Sequence, residues 1–183
     1  MGMKRKQLTN RALFFIVMVM ACTPGVYAQQ RATEINPKNS WIKAGVNVGL
    51  PIGNTADQSS IALGADVKGQ LMSTPNWGLG LASGYTHYFP KEGHENFGSV
   101  PVGIFARYYP ASQGLFVGTD AGYSFQTGSD LNGNGGMYVR PQVGYHNRLW
   151  NIFGFYNGIF RKDTNGGNLQ QVGVGTTFNI MFN

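Results

Sequence analysis

The chain has 183 residues, with 27 glycines, 13% aromatic residues and only 12% charged residues. A typical soluble domain carries about 25% charged residues, so this sequence has little charge with which to cover a water-exposed surface. The N-terminal apolar run at 13–21 is too short for a membrane-spanning helix, which needs about 20 residues. The composition therefore argues against a helical membrane protein and is typical of a β-protein whose hydrophobic residues alternate along strands.

Residues 1–28 have the layout of a secretory signal peptide. A basic segment precedes the apolar run at 13–21, and Val26 and Ala28 supply small residues at the usual positions before a cleavage site. The basic residues are Lys4, Arg5, Lys6 and Arg11, and their removal lowers the net charge from +6 to +2. The positive charge is therefore no argument for nucleic acid as a partner.

The single cysteine, Cys22, lies within the predicted signal peptide. We therefore expect a mature chain with no disulfide, no cysteine metal ligand and no cysteine nucleophile. The residues that end at Cys22 loosely resemble a lipobox, so a lipoprotein signal is the alternative interpretation.

Residues 29–40 are polar and contain Pro37, which predicts a short flexible lead-in on the periplasmic side. From Trp41 onward, apolar and polar residues alternate with period two, the signature of β-strands. The predicted strands are 41–50, 61–72, 77–89, 99–109, 114–126, 137–147, 151–161 and 169–182. No segment has helical periodicity.

The connectors between these strands alternate between long polar loops and tight turns, the layout of a bacterial transmembrane β-barrel. Strands of about 9–11 residues also have the length that crosses a bilayer when tilted. We therefore predict an all-β fold at 41–183, an eight-stranded antiparallel up-and-down transmembrane β-barrel with periplasmic termini.

The distribution of polar residues distinguishes this barrel from a lipocalin-like soluble barrel, which would turn its apolar face inward. In the first strand, Ile42, Val46 and Leu50 share one face, whereas Lys43 and Asn47 share the other. The polar faces are rich in glycine and carry isolated charges, which suits a narrow lumen better than a water-exposed surface. In the seventh strand two apolar faces compete, so its register is left open and a bulge is considered. These faces are Phe153, Phe155 and Ile159 on one side and Ile152, Tyr156 and Phe160 on the other.

Aromatic residues are predicted at both membrane interfaces. The interface aromatics expected at the short-turn end of the barrel are Trp41, Trp77, Trp150, Tyr108 and Phe182, with Tyr109 beside Tyr108. Tyr85, Tyr88 and Phe89 are expected to form the opposite belt.

The polar face predicts a charged network inside the lumen. Its expected members are Lys43, Asp66, Lys68, Arg107, Asp120, Arg140 and His146. A charge in a narrow lumen is costly unless it is paired, and only two of these residues are carboxylates. Tyr109, Tyr138 and Gln142 are therefore expected to assist. We interpret the network as a plug that fills the barrel; the alternative is an ion pathway.

Three segments carry a resemblance to a known family: VPVGIFARYYP at 100–110, GLFVGTDAGYSF at 114–125 and the last strand. They resemble the small eight-stranded outer-membrane β-barrels of the OmpA and OmpX type. The resemblance implies an outer-membrane location, contact with outer-membrane lipids and lipopolysaccharide, and insertion by the barrel-assembly machinery. It also implies an assembly signal in the last strand at Phe178, Ile180 and Phe182, from which the terminal Asn183 departs.

Some eight-stranded barrels of this kind are enzymes that modify lipid A, as deacylases or acyltransferases. His146 is followed by Asn147 and lacks the serine of the deacylase motif, and His87 lacks it too. His94 lies in a loop, and the loop pair Ser129-Asp130 has the reverse order of the acyltransferase pair. We therefore predict a non-enzymatic structural or recognition role, or a subunit of a larger outer-membrane protein complex. No metal site, cofactor or nucleic-acid partner is predicted; the lipid A-modifying enzyme is the alternative.

Overall fold

The computed structural model describes residues 40–128, 135–161 and 167–181. Its strands are β1 (Ser40–Ile52), β2 (Ser59–Met72), β3 (Trp77–Pro90), β4 (Phe97–Tyr108), β5 (Gly114–Thr127), β6 (Gly136–His146), β7 (Trp150–Phe160) and β8 (Leu169–Met181). Each strand pairs antiparallel with the next, and β1 pairs with β8 to close a barrel. The predicted up-and-down fold is confirmed, and every predicted strand end lies within two residues of the observed one. The predicted signal peptide and lead-in lie outside the described residues.

Two rims bound the barrel. The long-loop rim carries the connectors 53–58 and 91–96 together with the ends of β5 and β7 and the starts of β6 and β8, and the short-turn rim carries 73–76, 109–113 and 147–149. The start of β1 and the end of β8 also lie at the short-turn rim, where Trp41 pairs with Met181.

The strands turn their apolar faces outward, as expected. Strand β6 shows the pattern most clearly, because buried and exposed residues alternate along most of its length. Leu81 and Leu115 are each 70% exposed, and Ile104 is 65% exposed. Polar residues fill the opposite face, since successive side chains of a strand point to opposite sides. The barrel therefore has an apolar exterior and a largely polar interior.

The seventh strand has a single register. Phe153, Phe155 and Ile159 point inward, whereas Ile152 and Phe160 are exposed outside. The pairing of β7 with β6 and β8 runs without a register shift, so the bulge considered from the sequence does not occur.

Glycines on β8 explain why the face of β7 that carries Phe153 and Phe155 points inward. A Cβ added to Gly175 would lie 2.8 Å from Cζ of Phe153, and one added to Gly173 would lie 2.8 Å from Cζ of Phe155. The two phenyl rings therefore occupy space inside the wall that only glycine leaves free.

Two prolines interrupt the ladder on one side of their strands, as expected for proline in a sheet. The pairs between β3 and β4 stop at Ser83 and resume at Thr86, opposite Pro101. The pairs between β6 and β7 break between Val139 and Gln142, beside Pro141. The register is the same on both sides of each gap.

The first long loop contains a helix that the sequence analysis did not predict, α1 (Asn54–Gln58). Thr55 is buried, and its hydroxyl accepts a 2.7 Å hydrogen bond from the backbone nitrogen of Gln170. A five-residue helix is too short to show periodicity in the sequence. No helix among residues 40–128, 135–161 and 167–181 is both long and apolar enough to span a membrane.

Two apolar clusters fill the ends of the interior. The cluster near the long-loop rim comprises Ala62, Tyr88, Phe97, Tyr138, Ile159 and Leu169. The cluster near the short-turn rim comprises Met72, Tyr109, Phe116, Phe153 and Phe155. Tyr88 was expected in an outer belt, but it is fully buried and stacks on Phe97 with ring centroids 4.5 Å apart. Tyr109 likewise points inward and not into the rim belt.

Candidate functional site

Charged side chains occupy the lumen between and beside these two clusters. The seven residues singled out from the sequence, Lys43, Asp66, Lys68, Arg107, Asp120, Arg140 and His146, are all buried, with exposed fractions of 0–7%. They come from five of the eight strands, and each occupies an inward position of its strand. Their contacts determine what the interior can do.

The first ion pair joins Arg140 on β6 to Asp66 on β2. Nη1 of Arg140 donates a 2.7 Å hydrogen bond to Oδ1 of Asp66. Nδ2 of Asn47, on the neighbouring β1, donates to the other carboxylate oxygen at 2.9 Å. Both oxygens of Asp66 are therefore satisfied, as a buried carboxylate requires.

The second ion pair joins Lys68 on β2 to Asp120 on β5. Gln142 extends this pair, because its Nε2 donates to Oδ2 of Asp120 at 2.7 Å. Its Oε1 accepts a 2.9 Å hydrogen bond from Nη2 of Arg107. One amide therefore connects a carboxylate to a guanidinium that forms no salt bridge with a carboxylate of the described residues.

Aromatic rings surround the Arg107 guanidinium. Its Cζ lies 4.8 Å from the centroid of Phe116, 5.5 Å from that of Phe153 and 5.7 Å from that of Phe105. The negative face of an aromatic ring attracts a cation, and the attraction is stronger where water is excluded. Arg140 makes the same type of cation–π contact, with its Cζ 4.1 Å from the ring centroid of Phe155.

Asn179 on β8 connects Lys43 to the short-turn rim. Its Oδ1 accepts hydrogen bonds from Nζ of Lys43 at 2.7 Å and from Nδ2 of Asn151 at 3.0 Å. Its Nδ2 donates to the backbone oxygens of Asn147 and Arg148 at 3.3 and 3.0 Å. The amide thus fixes the last turn of the barrel to an interior lysine.

His146 lies at the short-turn end of the lumen. Its Nε2 is 3.1 Å from the backbone oxygen of Ala111, and its ring centroid is 4.6 Å from that of Tyr109. The hydroxyl of Tyr109 donates to Oε1 of Gln70 at 2.9 Å. These contacts connect the end of β6 to the turn at 109–113.

The described interior carries four basic side chains, Lys43, Lys68, Arg107 and Arg140, against two carboxylates, Asp66 and Asp120. Side-chain amides and phenyl rings therefore hold the basic groups that the carboxylates do not neutralise. A cavity of about 10 Å³ lies beside Asp66, Lys68, Asp120 and Arg140, with room for about one water molecule. The groups cross-link the walls and fill the space between them.

Phe105 and Phe116, which contact the Arg107 guanidinium, are absent from the lumen network predicted from the sequence. Phe105 lies two positions before Arg107, and Phe116 lies four positions before Asp120, so each shares the inward face of its charged neighbour. This even spacing from a charged residue on the same strand was the sequence signal that could have predicted both rings inside the lumen. Asn179 pairs with Lys43 across β1 and β8, so its place between Lys43 and the last turn depends on the register of these two strands.

The rim aromatics lie on the outer surface of the short-turn rim. The rings of Trp77 and Tyr108 have centroids 5.1 Å apart, and those of Tyr145 and Trp150 are 6.0 Å apart. The backbone of Trp41 lies at the same rim. Phe178 and Ile180 point outward and are 58% and 51% exposed, whereas Phe182 lies outside the described residues.

The three histidines lie in separate environments. His146 is inside the lumen, His87 faces outward beside Tyr85, and His94 lies on the exposed connector 91–96. Within the described part of the chain, no histidine side chain bonds to a serine or a carboxylate, and no group of three potential metal ligands occurs. Ser129 and Asp130 lie outside the described residues.

No protein-family model matches this sequence, and no curated protein matches it. The fold is similar to solved structures. Neisserial surface protein A has a TM-score of 0.52 at 14% identity, over 82% of this chain and 100% of that one. The Yersinia pestis protein Ail has a TM-score of 0.51 at 12% identity, over 77% of this chain and 97% of that one. A de novo designed transmembrane β-barrel has a TM-score of 0.50 at 14% identity, over 82% of this chain and 100% of that one.

At these identities the similarity establishes the fold. The chain spans nearly the whole length of each of these barrels. Its architecture is therefore that of a small transmembrane β-barrel.

Proposed function

We propose that this chain is an integral outer-membrane β-barrel with a plugged polar lumen and a non-enzymatic role in structure, recognition or a larger membrane complex. The observation that carries the proposal is the inverted distribution of side chains. Large apolar residues cover the outside of all eight strands, and charged residues are buried inside. This arrangement is stable when lipid surrounds the barrel, because a closed barrel satisfies its own backbone hydrogen bonds.

The exterior argues against a monomer in water. Soluble monomers rarely expose a contiguous apolar patch larger than about 300–600 Å². Here the outward positions include Val46 at 60%, Leu63 at 46%, Val102 at 50% and Val143 at 56% exposure, on four different strands. The apolar surface therefore continues around the barrel and fits lipid tails.

The orientation follows from the two rims. In bacterial barrels the short turns face the periplasm and the longer loops face outward. A periplasmic position for both ends of the barrel also fits export through the predicted signal peptide at 1–28. Trp77, Tyr108 and Trp150 would then lie at the periplasmic interface, where amphipathic rings are favoured.

The lumen supports a structural and not a transport role. Two ion pairs cross it, and apolar clusters fill both of its ends. Any recognition would therefore use the rims and the outer wall. The expected partners are outer-membrane lipids and lipopolysaccharide, the barrel-assembly machinery during insertion, and other proteins of a larger outer-membrane complex.

The membrane assignment is tested by expressing the full chain in a Gram-negative host and fractionating the envelope. We expect the protein in the outer-membrane fraction, extractable only with detergent, and with a gel mobility that changes on boiling. Recovery of the mature chain from the periplasm without detergent would reject the proposal. Purified barrels in planar bilayers should give no steady conductance, because the lumen is filled.

The orientation is tested with single cysteines, since the mature chain is expected to contain none. Glu95→Cys lies at the long-loop rim and Ser112→Cys at the short-turn rim, and both positions are exposed. A membrane-impermeant maleimide should label Glu95→Cys in intact cells and Ser112→Cys only after permeabilisation. The reverse pattern would contradict periplasmic termini. Affinity purification from solubilised outer membranes then distinguishes a lone barrel from a complex subunit.

A further inference from the structure

A histidine faces outward at the long-loop rim of the barrel. His87 lies near the end of β3, on the same face as Leu81, which is 70% exposed. Its cross-strand neighbours are Leu63 on β2 and Gly98 on β4, and neither is charged. This polar ring lies outside the lumen network, on the otherwise apolar outer face of the barrel.

Neighbouring aromatic residues fix the orientation of this imidazole. The hydroxyl of Tyr85 lies 3.3 Å from Nδ1 of His87, and the ring of Phe89 meets the imidazole edge-on at 4.7 Å. When the tyrosine hydroxyl donates to Nδ1, the proton of the neutral imidazole lies on Nε2. The Tyr85 contact thereby leaves Nε2 as a donor for a further group.

Two hydroxyl groups lie over the backbone of Gly98, beside the histidine. A Cβ added to Gly98 would lie 2.5 Å from the hydroxyl of Tyr85 and 2.7 Å from the hydroxyl of Thr127. Thr127 pairs with Gly98 from β5, so β3, β4 and β5 all contribute to this polar cluster. Tyr85 and Thr127 are exposed and His87 is partly exposed, on the outer face of the barrel.

We propose that His87, Tyr85 and Thr127 form a binding site for the phosphate of a membrane lipid headgroup. Nε2 of His87 and the hydroxyl of Thr127 can each donate a hydrogen bond to a phosphate oxygen, and the hydroxyl of Tyr85, whose proton goes to Nδ1, holds the imidazole in this tautomer. The three residues lie where β3 and β5 end, at the headgroup layer of a barrel whose apolar belt lies in the bilayer. Tyr123 and Phe125, which face outward from β5 with ring centroids 5.0 Å apart, supply an apolar surface beside them for the acyl chains.

This inference rests on the proposed membrane location and adds a specific lipid contact to it. The test uses the mature barrel with ¹⁵N-labelled histidine in phosphatidylglycerol vesicles. Solid-state NMR measures dephasing of each imidazole nitrogen by lipid ³¹P. The chain has three histidines, so loss of one signal in His87→Gln assigns the site. We expect strong dephasing of Nε2 of His87, and much weaker dephasing of His94 in the loop and His146 in the lumen.

Matched variants distinguish a specific binding site from simple proximity of His87 to the membrane. Tyr85→Phe and Thr127→Val remove one hydroxyl each, and Gly98→Ala puts a methyl group where the two hydroxyls lie; all three should lose the His87 dephasing. Thr119→Val removes an outward hydroxyl elsewhere on β5 and should retain it. A heat-shifted band on gels confirms that each variant is folded. Equal dephasing in all of these variants would overturn the proposal.

A second preparation distinguishes the source of the phosphate. Barrels in maltoside micelles with inorganic phosphate should show no dephasing of His87, because free phosphate lacks the acyl chains. Equal dephasing there would mean a site for free phosphate and would overturn the lipid assignment. Insertion into vesicles without dephasing would overturn this inference alone, whereas failure to insert at all would overturn the proposed membrane function as well.

Discussion

Arg140 reaches across the barrel to Asp66, with 2.7 Å between Nη1 and Oδ1. The two residues belong to β6 and β2, which are four strands apart in a closed ring of eight and so lie on opposite walls. Lys68 and Asp120 make a second crossing between β2 and β5. The interior is therefore cross-linked in two places by groups that the sequence placed on the polar face.

Breaking the Arg140–Asp66 pair should destabilise the barrel. Asp66→Asn leaves the Arg140 guanidinium buried without its carboxylate, and we expect a loss of about 3–5 kcal/mol in the free energy of unfolding. Urea titration in vesicles measures this value. Asp57→Asn changes an exposed carboxylate and should have almost no effect. If Asp66→Asn also unfolds at the wild-type urea concentration, the crossing contributes nothing to stability.

Removing both partners of the pair should cost less than removing one. In Asp66→Leu with Arg140→Met the buried charges are absent, so no uncompensated charge remains. We expect the double variant to recover part or all of the stability that Asp66→Asn loses. The same urea titration measures the double variant. If it is less stable than Asp66→Asn, the attraction within the ion pair exceeds the cost of desolvating the two charges.

Arg107 should respond differently to substitution, because its charge lacks a carboxylate partner among the described residues. Arg107→Met keeps a long side chain among Phe105, Phe116 and Phe153 and removes a buried charge. We expect the free energy of unfolding to stay within about 1 kcal/mol of wild type or to rise by up to about 4 kcal/mol. Arg107→Lys retains the charge but loses the planar group that stacks on the rings, and should be the less stable variant.

The glycines of β8 give a direct test of the seventh-strand register. Gly175→Val would force a side chain into the ring of Phe153, and we expect destabilisation by about 1–3 kcal/mol. Gly69→Ala is the control, because an added Cβ there meets no atom within 4 Å. Equal urea midpoints for the two variants would mean that Phe153 does not occupy this space.

Gln142 should be more important than an exposed glutamine, because its amide joins Arg107 to Asp120. Gln142→Ala leaves the Arg107 guanidinium without its hydrogen-bond partner and Asp120 with Lys68 alone, at an expected cost of about 1–3 kcal/mol in unfolding free energy. Gln113→Ala, in an exposed turn, is the comparison and should be neutral. Thermal unfolding in detergent with the gel-shift readout measures both variants.

Parity along the strand explains what could be read from the sequence and why the prediction for Tyr88 was wrong. Tyr88 shares the parity of Ala82 and Thr86, which are both buried, so alternation alone would have pointed it inward. Its expected place was instead an outer aromatic belt with Tyr85 and Phe89. Aromatic residues serve both the interface and the plug, and composition cannot separate these two uses.

The sequence by itself determined the eight strands, their up-and-down order, the outward apolar face and the charged residues of the inner face. These properties depend on a local period of two, which each strand carries independently of the others. Only the tertiary structure decided which charges meet, which rings surround Arg107, and that Tyr85 and Thr127 meet over Gly98 beside His87. Those contacts depend on the register between strands and on crossings of the closed barrel, and these relate residues far apart in the chain.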